Sequence, residues 1–109
     1  MLAQGWGRII TIGAHAAVGG QARSGAYAAS KAALLALTQS IAAETRSSGI
    51  TANTVLVSTI DTAANRAAIQ ESDHNRWVTP EQIAATVRFL CSEEAAAISG
   101  AAIPVYGRI

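Results

Sequence analysis

A chain of 109 residues that is 50% hydrophobic and 14% charged, with a formal net charge of +1, has the make-up of one small globular unit and not of a disordered segment. So small a charge, with no basic run of five or more residues, gives no reason to expect nucleic acid or an anionic membrane as partner. No stretch approaches the roughly 20 apolar residues of a membrane-spanning helix, and the opening MLAQGWGR has neither the apolar core nor the cleavage site of a secretory signal.

The first element in chain order is GRIITIG, Gly7 to Gly13, short, β-branched and bounded by glycines, which predicts a buried strand. AHAAVGGQARSG reads as a loop of glycine and small residues. Its glycine spacing fits neither a phosphate-binding loop nor the dinucleotide fingerprint. A long alanine-rich helix is expected over residues 26–46, with Leu34, Leu37, Ile41 and Thr45 inward and Gly49 as its left-handed C-terminal residue. TANTVLV, Thr51 to Val57, predicts a second strand. The polar run STIDTAANRAAIQESDHNRW predicts part helix and part mobile loop. VTPEQ marks another helix start, with Thr79 as cap, Pro80 in the first turn and Gln82 completing a capping box. Ile83, Val87 and Leu90 then share a face, and SGAAIPVYG holds a third strand. Cys91, the single cysteine, cannot form an internal disulfide; it fits a reducing, cytoplasmic setting and, by its apolar neighbours, the core.

Apolar strands alternating with helices predict an α/β fold, a parallel sheet covered on both faces. Three strands with two crossovers make half of a doubly wound domain. Residues 1–109 are expected to form a single unit, and an inner strand at the start of the chain suggests a truncated one.

One pair of residues stands out from the bland run SGAYAASKAALLAL. Tyr27 and Lys31 are four apart, hence on one helix face. A phenol is a poor acid or base near neutrality. A neighbouring ammonium favours its ionised form, so the pair can serve as a tuned proton donor and acceptor. The alternative is an amphipathic tyrosine and a snorkelling lysine. The position of the pair, opening a helix after a parallel strand, favours a site, because open α/β sheets bind ligands beyond the carboxyl ends of their strands.

GRIITIGAHAAVGGQARSGAYAASKAALLALTQSIAAE resembles the active-site segment of the short-chain dehydrogenase/reductase family, whose Y-x-A-S-K motif is matched by Tyr27, Ala29, Ser30 and Lys31. GITANTVLVSTIDT and TPEQIAATVRFLCSEEAAAISGAAIPVYG resemble later segments of the same family in the same order. The resemblance implies a partial Rossmann-type fold lacking the nucleotide-binding N-terminal half, and NAD or NADP as cofactor. It implies Tyr27 as general acid or base with Lys31 assisting, and Tyr27, Lys31, Ser58, Ile60 and Thr62 at the cofactor. The substrate would be a small molecule, approached by Ala14, His15 and Trp77. Many members associate through the helix corresponding to residues 26–46, so a homo-oligomer is expected there.

Three departures stand beside the match. Ala14 occupies the place of the family's catalytic serine, 13 residues before the tyrosine; Ser24 lies wrongly to replace it. Val57 and Ser58 stand where Pro-Gly is usual. The glycine-rich cofactor turn is missing. The alanine, the run TIDTAANR and the downstream Trp77 resemble the dihydropteridine reductases, which reduce a quinonoid dihydropterin with no ketone to orient. Ala63 replaces the proline expected after Asp-Thr, which implies a looser lid. Other residues carry structural expectations: His15 as an exposed loop residue, Asp61 with Arg66 as a lid-fixing pair, Trp77 as a lid anchor, Ser30 bonded back to its own helix. His74 has no partner at ligand spacing, so no metal is expected. The alternative to an enzyme is a non-catalytic remnant or oligomerisation module without cofactor.

Overall fold

The computed structural model describes residues 1–70 and 73–109. Strands β1 (Gly7–Ala14), β2 (Ile50–Val57) and β3 (Ala102–Val105) form one sheet in the order β1-β2-β3, and both pairings are parallel. Helix α1 (Gly25–Glu44) joins β1 to β2; α2 (Ala63–Ala68) and α3 (Pro80–Leu90) lie between β2 and β3. The register sets Ala14 beside Val57 and Val57 beside Val105, so the three carboxyl ends finish level.

The alternation of side chains along β1 and β2 divides the residues between two faces. On one face Thr11 and Thr54 bond to each other at 2.8 Å, and Thr11 reaches Thr38 of α1 at 2.9 Å. On the other, Val55 and Val57 join Leu90 in a core completed by Ile10, Ile83, Val87, Ile103 and Val105. All eight residues of β2 are buried, as a central parallel strand requires. α3 starts as its sequence predicts: Thr79 Oγ1 accepts from the Gln82 amide, Gln82 Oε1 accepts from the Thr79 amide, and Pro80 fills the first turn.

Several expectations need correction. Leu37 is 57% exposed, while Thr38 is 1% exposed and turns inward in its place. α1 ends at Glu44, with Thr45 at its C-cap. Gly49 does adopt φ 66°, but at the entry to β2, where a Cβ would collide with the Gly5 carbonyl. Cys91 is exposed: α3 stops at Leu90, which fills the core, and the next residue turns outward. Of the polar run after β2, the stretch at residues 71 and 72 lies outside the described residues; the rest holds α2 and a 3-10 turn, His74–Arg76.

The molecule is thin and elongated, 50 × 28 × 19 Å, with a radius of gyration of 15.3 Å against about 13 Å for a compact chain of this length. Its 6697 Å² of accessible surface exceeds the roughly 5,600 Å² expected for a folded monomer of its mass. Among the described residues β1 pairs only with β2, and its other edge is open.

Candidate active site

A cavity of about 500 Å³ opens beyond the carboxyl ends of β1 and β2. Ala14 ends β1 and His15 opens the 3-10 turn that follows it; Ser58 and Ile60 come directly after β2; Tyr27 enters from the first turn of α1. Five of the residues singled out in the sequence therefore meet in one cavity. Chain termination explains the convergence: parallel strands ending level deliver their connecting loops to one rim.

Tyr27 is half exposed at this rim. Lys31 Nζ lies 5.9 Å from the Tyr27 ring centroid and donates to the Ile12 carbonyl at 3.1 Å. That bond pins a flexible ammonium to β1, beside the phenol. Ser30 Oγ donates to the Tyr27 carbonyl at 2.7 Å, the back-bonded role expected of it. Ser24 Oγ donates to the Gln21 carbonyl and is outside the cavity lining. Ala14 is buried and has no side-chain hydrogen-bonding group at the place where the resemblance implies a serine. The nearest imidazole, His15, is exposed and stands edge-on to Tyr106, with ring centroids 4.9 Å apart at 66°.

The segment after β2 folds back as a lid. Ile60 bridges to Val78, and the Asp61 amide donates to the Val78 carbonyl at 2.8 Å. Thr62 caps α2 by accepting from the Asn65 amide, and Asn65 Nδ2 donates to the Ile60 carbonyl at 2.8 Å. Arg66 grips Asp61 with two hydrogen bonds, the Nη2 one at 2.7 Å; this guanidinium holds the Asp61 carboxyl below the usual carboxylate range, and the carboxylate raises Arg66 in turn. Trp77 is buried, with its ring 4.5 Å from that of His74, and like Lys31 and Thr62 it is outside the cavity lining. Gln21, Asn65, Ile69 and Ile109 line the cavity without having been singled out as site residues. Asn65 lies within the quoted TIDTAANR run, and its position after a Thr cap was the available signal. Nothing in the sequence marks the other three.

The groups that could meet the nicotinamide riboside end of a dinucleotide are the Tyr27 phenol and the Ser58 oxygen in the cavity lining, with the Lys31 ammonium beside the phenol and outside that lining. A Cβ added to Gly19 or Gly20 would meet nothing within 4 Å, so neither glycine is needed for close approach to anything in the chain. Among the described residues there is no group of three or more His, Cys, Asp or Glu side chains able to hold a metal.

The family model for Enoyl-(Acyl carrier protein) reductase matches residues 1–107. The chain belongs to the short-chain dehydrogenase/reductase family. Within that family it is 41% identical over 110 residues to the 3-oxoacyl-[acyl-carrier-protein] reductase MabA of Mycobacterium bovis, covering 94% of this chain and 44% of the relative. It is 33% identical to the acetoacetyl-CoA reductase of Allochromatium vinosum, covering 98% of this chain and 47% of the relative. A solved structure from Beutenbergia cavernae, described as an NAD(P)-dependent gluconate 5-dehydrogenase and holding NADP at low occupancy, superposes with a TM-score of 0.88 at 32% identity, over 98% of this chain and 47% of that one. The chain thus spans about half the length of the curated relatives it matches, and its three parallel strands correspond to part of a Rossmann-type short-chain dehydrogenase/reductase fold.

Proposed function

We propose that this chain carries the proton-transfer and substrate half of an NAD(P)-dependent carbonyl reductase. The observation that carries the reading is the meeting of Tyr27, with Lys31 beside it, and the ends of β1 and β2 in one cavity. A nicotinamide, when bound, supplies the hydride. Tyr27 then gives its phenolic proton to the substrate oxygen as hydride reaches the carbonyl carbon, so that an alcohol forms, and in the reverse direction it takes the proton back. Lys31 stabilises the negative charge left on the phenol oxygen, and its bond to the Ile12 carbonyl keeps it there.

The substrate we favour is a carbonyl on an aliphatic chain. Val57, Ile60, Ile69 and Ile109 make much of the wall apolar, and the two relatives above are a 3-oxoacyl-[acyl-carrier-protein] reductase and an acetoacetyl-CoA reductase. A second reading, a quinonoid dihydropterin, is favoured by one observation: Ala14 has no hydroxyl to hold a carbonyl oxygen. The two readings separate on Ala14→Ser, which should raise turnover of a 3-oxoacyl thioester and leave dihydropterin reduction unchanged or lower.

Tyr27→Phe tests the shared mechanism. In protein that turns over NAD(P)H it should remove nearly all reduction while far-UV circular dichroism stays the same; retention of most activity would refute the general-acid role. For the chain by itself, saturable quenching or enhancement of NADH fluorescence, weakened by Lys31→Ala, supports a formed half-site, and no binding at millimolar NADH supports the non-catalytic remnant instead. The reading includes a cytoplasmic setting; no helix among the described residues is long and apolar enough to cross a membrane. It also includes pairing of two copies through the outer face of α1, where Ala33, Ala36, Leu37 and Ser40 are exposed. A purely monomeric mass by light scattering at high concentration counts against that pairing.

A further inference from the structure

The residues after β3 are held, not loose. Residue 76 occupies both main-chain groups of Arg108: the Arg108 amide donates to the Arg76 carbonyl at 2.8 Å, and the Arg76 guanidinium donates to the Arg108 carbonyl through Nε at 3.0 Å and Nη2 at 2.7 Å. Gly107, with φ 72°, permits this approach, because a Cβ there would fall on the Arg76 carbonyl. One step earlier, the Tyr106 carbonyl accepts from Ser58 Oγ at 2.7 Å, and the Tyr106 ring carries His15. The tail is therefore joined at three points to the lid base and to two cavity residues. Ile109, next along the tail, lines the cavity and is 54% exposed, where Ile69 of the lid is 46% exposed. Two large aliphatic side chains held at a cavity and about half uncovered by the other described residues offer contact to something aliphatic inside it.

We propose that Ile109 is a specificity-determining residue that contacts the aliphatic part of the substrate, and that Arg76 is the positioning residue that holds it there. The inference rests on the aliphatic-carbonyl reading above and adds to it the element that measures chain length. The Arg76 guanidinium bonds to the tail's main chain at Arg108 and is outside the cavity lining, so its effect on substrate passes through Ile109.

The test titrates the full chain, labelled at isoleucine δ1 methyls, with two probes, S-acetoacetyl- and S-(3-oxooctanoyl)-N-acetylcysteamine, and reads Kd from methyl shifts. Ile109→Ala should weaken the octanoyl probe roughly five- to tenfold and the acetoacetyl probe less than about twofold. Arg76→Ala should reproduce that selective loss, and Arg76→Lys, which keeps one donor toward the Arg108 carbonyl, should recover part of it. An equal loss for both probes, or none, in Ile109→Ala overturns the proposal while leaving the carbonyl-reductase reading intact. Wild-type chain that binds neither probe overturns both. Should Arg76→Ala unfold the chain, Ile109→Ala still decides the matter, since its side chain is exposed; an unchanged probe ratio in a folded Arg76→Ala removes the positioning role.

Discussion

The buried threonines between α1 and the sheet form a hydrogen-bond chain whose direction is fixed at one end, and that direction ranks three substitutions. Thr38 Oγ1 donates to the Leu34 carbonyl at 2.8 Å, so it must accept from Thr11 at 2.9 Å, and Thr11 must accept from Thr54 at 2.8 Å. Each hydroxyl then spends its one proton. Thr11→Val removes two bonds and leaves the Thr54 hydroxyl, 0% exposed, with no acceptor. A net bond is worth about 1 kcal/mol and a stranded buried donor about 1–3 kcal/mol, so with some return from the added methyl the cost is about 2–3 kcal/mol. Thr54→Val removes the terminal donor only and strands nothing, so it costs about 1 kcal/mol or less. Thr38→Val strands a proton on Thr11 or Thr54 and should match Thr11→Val. Urea unfolding reads the order: at a slope of about 1–2 kcal/mol per M for a chain of this size, Thr11→Val lowers the midpoint by roughly 1–3 M and Thr54→Val by about 1 M or less, with slopes unchanged. Should Thr54→Val prove as costly as Thr11→Val, the directional chain is wrong. The ladder holds α1 to β1 two turns past Lys31, so the same substitution should also loosen the Lys31 contact with the Ile12 carbonyl.

Other predictions follow from single contacts. Leu90→Ala empties a fully buried position in the core shared by β2 and α3 and should cost about 2–5 kcal/mol, a large part of the total stability of a small domain, read as a collapse of the thermal midpoint. Thr79→Ala removes the capping-box acceptor and should cost about 1 kcal/mol by the same urea titration. The Asp61 carboxyl is held low by Arg66, so the lid contact is fully present above the ordinary aspartate range and is lost as pH falls below it through the lowered value. Trp77 fluorescence should report that loss on acidification, and Asp61→Asn should show the low-pH signal already at neutrality; an identical pH profile in both proteins would show that the pair does not hold the lid.

The strands and α3 were legible in the sequence because their determinants are local. A β-branched run between glycines defines β1, a second β-branched run after Gly49 defines β2, and Thr79, Pro80 and Gln82 define a helix start by spacing alone. The inward face of α1 was misread at Leu37 because hydrophobicity does not decide it: Thr38 turns inward through the hydroxyl chain to Thr11, a partner 27 residues away that no local pattern reveals. Cys91 was misread for a related reason, since its exposure depends on where α3 stops, and element boundaries are weakly encoded. At the site, Tyr27 and Lys31 were visible because their chemistry is unusual in an alanine-rich helix. Gln21, Ile69 and Ile109 were not, because they are ordinary residues on loops, lid and tail, and only tertiary contacts such as Arg76 with Arg108 bring them to the cavity.

The all-parallel sheet has a kinetic consequence. No strand pair can form as a hairpin: Gly7 must find Ile50 across the whole of α1, and Thr54 must find Ala102 across the lid and α3. Each pairing closes a loop of tens of residues before any ladder bond rewards it, which puts this chain among high-contact-order folders, with refolding in the millisecond-to-second range. During that interval the open edge of β1, rich in isoleucine, stays available to other chains. Refolding yield should therefore fall with protein concentration and rise on dilution, even for variants whose equilibrium stability is unchanged.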